Sequence, residues 1–181
     1  MLTSLRQRLR TATHAAHASL DETLRQRGLV RPSVLANFLQ THNVALLAWQ
    51  RTFGCSNDQL DEHMAVDQRL EWLAHDLQTL NVKPTRSPPD SPRGPRWTQG
   101  AAAAWGSAYV LLGSTLGGQR LARELAAHDS DPRRLAFLQG HGPQTGSRWR
   151  LFVEHLEESN VNPDEATTAA GATFAFFAER L

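Results

Sequence analysis

Three features of the chain predict an all-α fold in a single domain. Apolar residues recur at helical spacing nearly throughout. No segment alternates as a half-buried strand does. The stops between periodic runs are glycines and prolines. The 181 residues fit one domain with a substantial core. With 40% hydrophobic and 20% charged residues, the composition is that of an ordinary globular protein.

Leu2, Leu5, Leu9, Ala16, Leu20 and Leu24 form one seam of a first helix, which Gly28 should stop. Pro32 suits the first turn of a second helix, running through Phe38, Leu39, Leu46, Leu47 and Trp49 to a stop at Gly54. A third pattern lies around Leu60 to Leu80, with apolar residues at Leu70, Leu73, Leu77 and Leu80. Residues 83–96 hold Pro84, Pro88, Pro89, Pro92 and Pro95, which exclude a helix or a central strand. This stretch is expected to be a long surface loop within one domain spanning 1–181. A glycine-studded helix follows, to about Ala127. Asp129-Ser130-Asp131-Pro132 is expected to cap a short helix ending at Gly140, and Gly140-His141-Gly142-Pro143 reads as a turn. A helix from about Ser147 to Glu158 carries Trp149, Phe152 and Leu156. Asn162, Pro163, Asp164 and Glu165 supply cap, first turn and acids for a last helix ending in Phe174, Phe176, Phe177 and Leu181.

The glycine-studded helix carries the most information. No residue between Arg96 and Arg120 is charged, so the segment is expected to be buried. Each helical glycine costs roughly 1 kcal/mol against alanine. Gly106, Gly113, Gly117 and Gly118 together therefore cost on the order of 4 kcal/mol, a large share of an ordinary domain's stability. At about 100° per residue, Gly106, Gly113 and Gly117 fall on one face. A stripe of bare backbone implies something large and close against it, or a bend. The uncharged run from Trp97 to Gln119 is long enough to span a bilayer. Thr98, Gln99, Gly100, Ser107, Ser114 and Thr115 dilute it, and it reads as the central helix of a soluble protein despite the Gly113-x-x-x-Gly117 spacing.

The formal net charge of +1 does not point to nucleic acid; the basic residues are scattered, with Lys83 the one lysine. Cys55 is alone, so no intrachain disulfide is possible. The arginine-rich start lacks a signal-peptide core. A cytoplasmic protein, a monomer or weak dimer with neither nucleic-acid nor membrane partner, is expected.

On the first helix His17 sits at the edge of the leucine seam, with Arg10 and Asp21 on the same flank and His14 beyond. A histidine at a buried edge with a carboxylate one turn on can ligate a metal. The carboxylate can then take the other imidazole N–H and fix the tautomer. Most histidines, of which the chain has eight, serve on surfaces or in packing.

Two motifs read together suggest more. Leu9-x-x-Ala12-Thr13-x-x-x-His17 resembles the proximal helix of heme oxygenases. Tyr109-Val110-Leu111-Leu112-Gly113-Ser114-Thr115-Leu116-Gly117-Gly118 is similar to their distal helix, close to the bacterial branch. Gly142-Pro143-x-Thr145-Gly146-x-Arg148-Trp149 and the aromatic last helix also look familial. The resemblance covers most of the chain but not the proline-rich loop. It implies a helical bundle holding heme between the two helices, with cleavage of heme by O2 and external electrons to biliverdin, CO and ferrous iron. Heme would be both substrate and metal centre, and the reductant a ferredoxin, a flavoprotein reductase or another donor.

By that resemblance His17 is the axial ligand, a neutral imidazole that leaves iron able to bind O2 opposite. Gly113, Ser114 and Gly117 form the distal wall, where water supplies protons. Tyr109 and Gly118 stand in the same segment. Asp21 holds the position where the family often has glutamate. Arg10, Arg148 and Arg150 are the candidate partners of the heme propionates, and Phe174 and Phe177 candidate packing groups on heme or core. Mammalian members carry aspartate where this chain has Ser114, and a hydroxyl is a poor proton source. A heme-binding protein without turnover is therefore an alternative. A thiamin-salvage hydrolase would need a pocket cysteine, and Cys55 sits in a turn. A di-iron oxidase would need inward carboxylates and histidines, whereas Glu71 and His75 read as a solvated face.

Overall fold

In the computed structural model, residues 3–54, 57–85, 95–127 and 135–181 are described. Among them the chain forms eight α-helices and no strand. These are α1 (Leu5–Arg27), α2 (Pro32–Phe53), α3 (Asp58–Met64), α4 (Val66–Thr79), α5 (Ala101–Ala126), α6 (Ala136–Gln139), α7 (Thr145–Glu158) and α8 (Pro163–Ala178). A 3-10 turn, Gly142–Gln144, precedes α7.

Local chemistry sets most of the ends. Ser4 caps α1 by accepting from the Gln7 N–H, and Gly28 closes it in the left-handed region at φ 73°. Pro32 opens α2 and the Gly54 N–H returns to the Gln50 carbonyl at its end. Asn162 accepts from the N–H groups of Asp164 and Glu165 at the start of α8. The third apolar pattern is not one helix. It breaks at Ala65, which takes φ 41° between α3 and α4. The break turns the chain so that Met64 and Val66, on either side, are both buried. Leu2, Cys55, residues 86–94 of the proline-rich segment and the expected cap at 129–132 lie outside the described residues.

Helix α5 is the hub. It packs on α8 along most of its length, and also on α6 and α7. Trp49 of α2 donates its indole N–H to Ser107 of α5 at 3.1 Å. The closest approach is at Gly106, where a Cβ would lie 2.0 Å from the Ala166 carbonyl oxygen of α8. Only glycine permits that crossing. Two further ties span the sequence. The Glu157 carboxylate of α7 accepts from the N–H groups of Leu5 and Arg6, at 2.9 and 3.0 Å, capping α1. The buried Asp76 of α4 accepts from the N–H groups of Ala136 and Phe137, both at 2.9 Å, capping α6. Burial raises the Asp76 carboxyl to about 6, against the pull of those two N–H groups. No described helix is long and apolar enough to cross a membrane.

Candidate functional site

Helices α1 and α5 both pack heavily on α8 but barely on each other. The candidate site is the cleft-like space between α1 and α5, both of which rest on α8. Two electrostatic contacts cross it. Tyr109 of α5 senses the charges of Arg6 and Arg10 on α1, which offset part of the upward shift that burial gives its hydroxyl. Arg120 of α5 senses Asp21 of α1, a small addition to its bond with Glu124. Arg10 and Tyr109 thus stand near one end of the space between the helices, and Asp21 and Arg120 near the other.

The walls are chemically unlike. On α1, His17 and Asp21 have side chains 64% and 61% exposed, with His17 Nδ1 3.3 Å from Asp21 Oδ2. The carboxylate thus takes Nδ1 and leaves Nε2 for another partner. Phe174 of α8 sets its ring edge-on to the imidazole, 5.9 Å between centroids. His17 was expected at a buried edge. It is exposed, because α1 leans on α8 and not on α5. Arg10 is exposed one end of the cleft away, towards Tyr109.

On α5, nothing lies within 4 Å of where a Gly117 Cβ would stand. A Cβ on Gly113 would meet only the Trp149 ring, at 3.6 Å. The Tyr109 and Trp149 rings are 5.5 Å apart and line the Arg10 end. Leu116 is an unusually exposed large apolar side chain, at 39%. The Ser114 hydroxyl is already committed, donating to the Leu111 carbonyl at 2.7 Å, and Thr115 donates likewise to Leu112. The segment is one continuous helix, so the stripe of glycines marks no break.

The expected single partner for that stripe is corrected. Gly106 meets α8, Gly113 meets Trp149, and only Gly117 faces open space. Gly118 is turned from the cleft: it is buried, and a Cβ there would lie 2.9 Å from the Leu138 carbonyl of α6. Gly118 is therefore a packing residue. Phe177 likewise belongs to the core, 4.6 Å from the His42 ring. Arg148 lines a small cavity with Arg69 of α4 and with Thr115 and Trp149, and Arg150 is exposed on α7. Glu71 and His75 are exposed on α4, and among the described residues no three of His, Cys, Asp and Glu gather.

No protein-family model and no curated protein matches the chain. Among solved structures, heme oxygenase from Neisseria meningitidis, crystallised in NO- and CO-bound forms, is similar. The likeness has a TM-score of 0.77, covers 98% of this chain and 90% of that one, and comes at 24% sequence identity. The chain has the heme oxygenase fold. Within that fold, the cleft between α1 and α5 contains both segments singled out from the sequence. Leu116, Trp149 and Arg120 were not singled out as site residues. Its place between Gly113 and Gly117 was the available signal for Leu116.

Proposed function

We propose that the protein is a heme oxygenase that holds heme edge-in between α1 and α5. What supports this is the pairing, in the fold of a known heme oxygenase, of His17 on α1 with its Nδ1 engaged by Asp21 and Gly117 on α5 facing open space. The residues present fit a flat macrocycle. An imidazole with its Nδ1 engaged faces one side, and the other side lacks side chains where a disc must pass close. Bound heme would supply both the iron that activates O2 and the ring that is cleaved to biliverdin, CO and iron, with electrons from an external ferredoxin, flavoprotein reductase or other donor.

Each residue then has a task. His17 would offer Nε2 to the iron, and Asp21 would hold the Nδ1 proton and so the tautomer. Phe174 limits rotation of the imidazole. Gly113 and Gly117, without side chains, would let α5 approach the macrocycle closely and shield it from bulk water. Arg10, with Tyr109 beside it, pairs with a propionate. The Ser114 hydroxyl donates its hydrogen bond to the Leu111 carbonyl, so towards the cleft it would accept one from a water and would not supply the proton. The described residues serve as one domain, in the cytoplasm.

The commitment of Ser114 also favours a second reading, a heme-binding protein without turnover. Hemin titration tests the common part of both. The wild type should bind one hemin per chain, and His17→Ala should lose the spectral signature of imidazole ligation. An identical spectrum in the variant would sink the assignment of His17. Turnover under reductant with catalase present separates the oxygenase from the binding protein.

A further inference from the structure

Helices α3 and α7 both pack on α5, and a histidine from each meets the other there. His63 lies in the last turn of α3 and His155 in the last turn of α7. His63 Nε2 stands 2.7 Å from His155 Nδ1, so one proton bridges the two imidazoles. The ring centroids are 4.9 Å apart and the planes cross at 58°. The Phe152 ring, on the same helix as His155, sits edge-on to His63 at 5.5 Å and limits its rotation. Both histidines are half-buried, so solvent reaches the pair while the two helices fix its position.

That arrangement suits a metal ion. Burial, and then the neighbouring His155, hold His63 below its ordinary value. The Glu62 carboxylate opposes this, and the exposed Arg148 adds a smaller push the same way as burial. Neutral imidazole is the form that ligates. Zinc–imidazole bonds of about 2.0–2.1 Å, at ligand angles of about 90–110°, put two nitrogens about 2.9–3.4 Å apart. The observed 2.7 Å lies just below that range, so a small rotation of the rings admits an ion between them. Among the described residues no third His, Cys, Asp or Glu joins the pair, so water completes the coordination. Two imidazoles and water favour zinc, nickel or copper over magnesium and calcium, which take oxygen ligands.

We propose that His63 and His155 form a two-histidine site for a divalent transition-metal ion of the zinc, nickel and copper class, which clasps α3 to α7. When the ion enters, the ring that holds the bridging proton shifts through water to its other tautomer. Both rings stay neutral, and no net proton is released from the neutral pair. The site uses no residue of α1 and does not depend on the heme reading.

Zinc titration of the ligand-free full chain, without a histidine tag, tests this. The wild type should take up a zinc ion whose binding His63→Gln and His155→Gln each abolish and His17→Gln preserves. Undiminished uptake in either of the first two variants would overturn the proposal. Wild-type crystals soaked in zinc chloride should show an anomalous peak within about 2.2 Å of both His63 Nε2 and His155 Nδ1. A pair still hydrogen-bonded with no peak between its nitrogens would also overturn it, and that crystal decides should a variant not fold.

Discussion

A glycine inside a helix costs about 1 kcal/mol unless its bareness is used. At Gly117 the folded chain makes no use of it. Gly117→Ala should therefore stabilise the ligand-free protein by about 0.5–1 kcal/mol in urea denaturation, and weaken hemin binding because the methyl enters the cleft. Gly106 carries the opposite sign. A Cβ 2.0 Å from the Ala166 carbonyl forces α5 and α8 apart, so Gly106→Ala should destabilise by about 2 kcal/mol or more by the same assay. Both residues lie on one helical stripe, and that much was legible in the sequence. Which neighbour each one meets was not, because it depends on α8 and α7, far away along the chain. Arg69 of α4, buried with its Nη2 on the Leu111 carbonyl, was illegible for a related reason: an arginine between Gln68 and Leu70 reads as solvated until the fold closes over it.

Helix ends that rest on neighbours in sequence were readable: Ser4 and Gly28 for α1, Pro32 for α2, Asn162 and Pro163 for α8. Ends that rest on distant partners were not. The cap on α6 comes from Asp76, sixty residues upstream by its bond to Ala136. Asp76→Ala leaves two N–H groups unsatisfied, one of them buried, and should cost about 1–3 kcal/mol in denaturant unfolding. Because α6 supports Gly118 and the Gly142–Gln144 turn is tied to α5 through Gln119, loosening should also reach the distal helix. The break at Ala65 belongs to the same class. Apolar spacing continues across it, and only the burial of Met64 and Val66 together explains the turn.

The all-α class and the two cleft helices followed from periodicity and from two motifs. The cleft itself followed from neither, since it exists only because α1 and α5 share α8 and not each other. Whole-molecule stability should carry a signature of the buried histidines. His42, packed between Phe38, Phe137 and Phe177, is lowered by burial to about 3 from an ordinary 6.5. His63 and His141 are lowered as well, mainly by burial. Below pH 6.5 the unfolded chain takes protons that the folded chain refuses, so stability falls as pH drops. One fully refused proton gives a slope of about 1.4 kcal/mol per pH unit. Asp76 acts in reverse between about 6 and 3.8, because its folded carboxyl keeps a proton that the unfolded one has lost. The denaturant midpoint should thus fall from pH 7 to pH 5, and His42→Phe should flatten that limb.

The central claim, that this cleft both binds heme and turns it over, is tested most directly by the absorption spectrum of the hemin complex after ascorbate is added in air with catalase present. The account predicts loss of the heme bands and growth of the biliverdin band in the wild type, and neither change in His17→Ala. A wild-type complex whose heme bands persist unchanged under those conditions would contradict it.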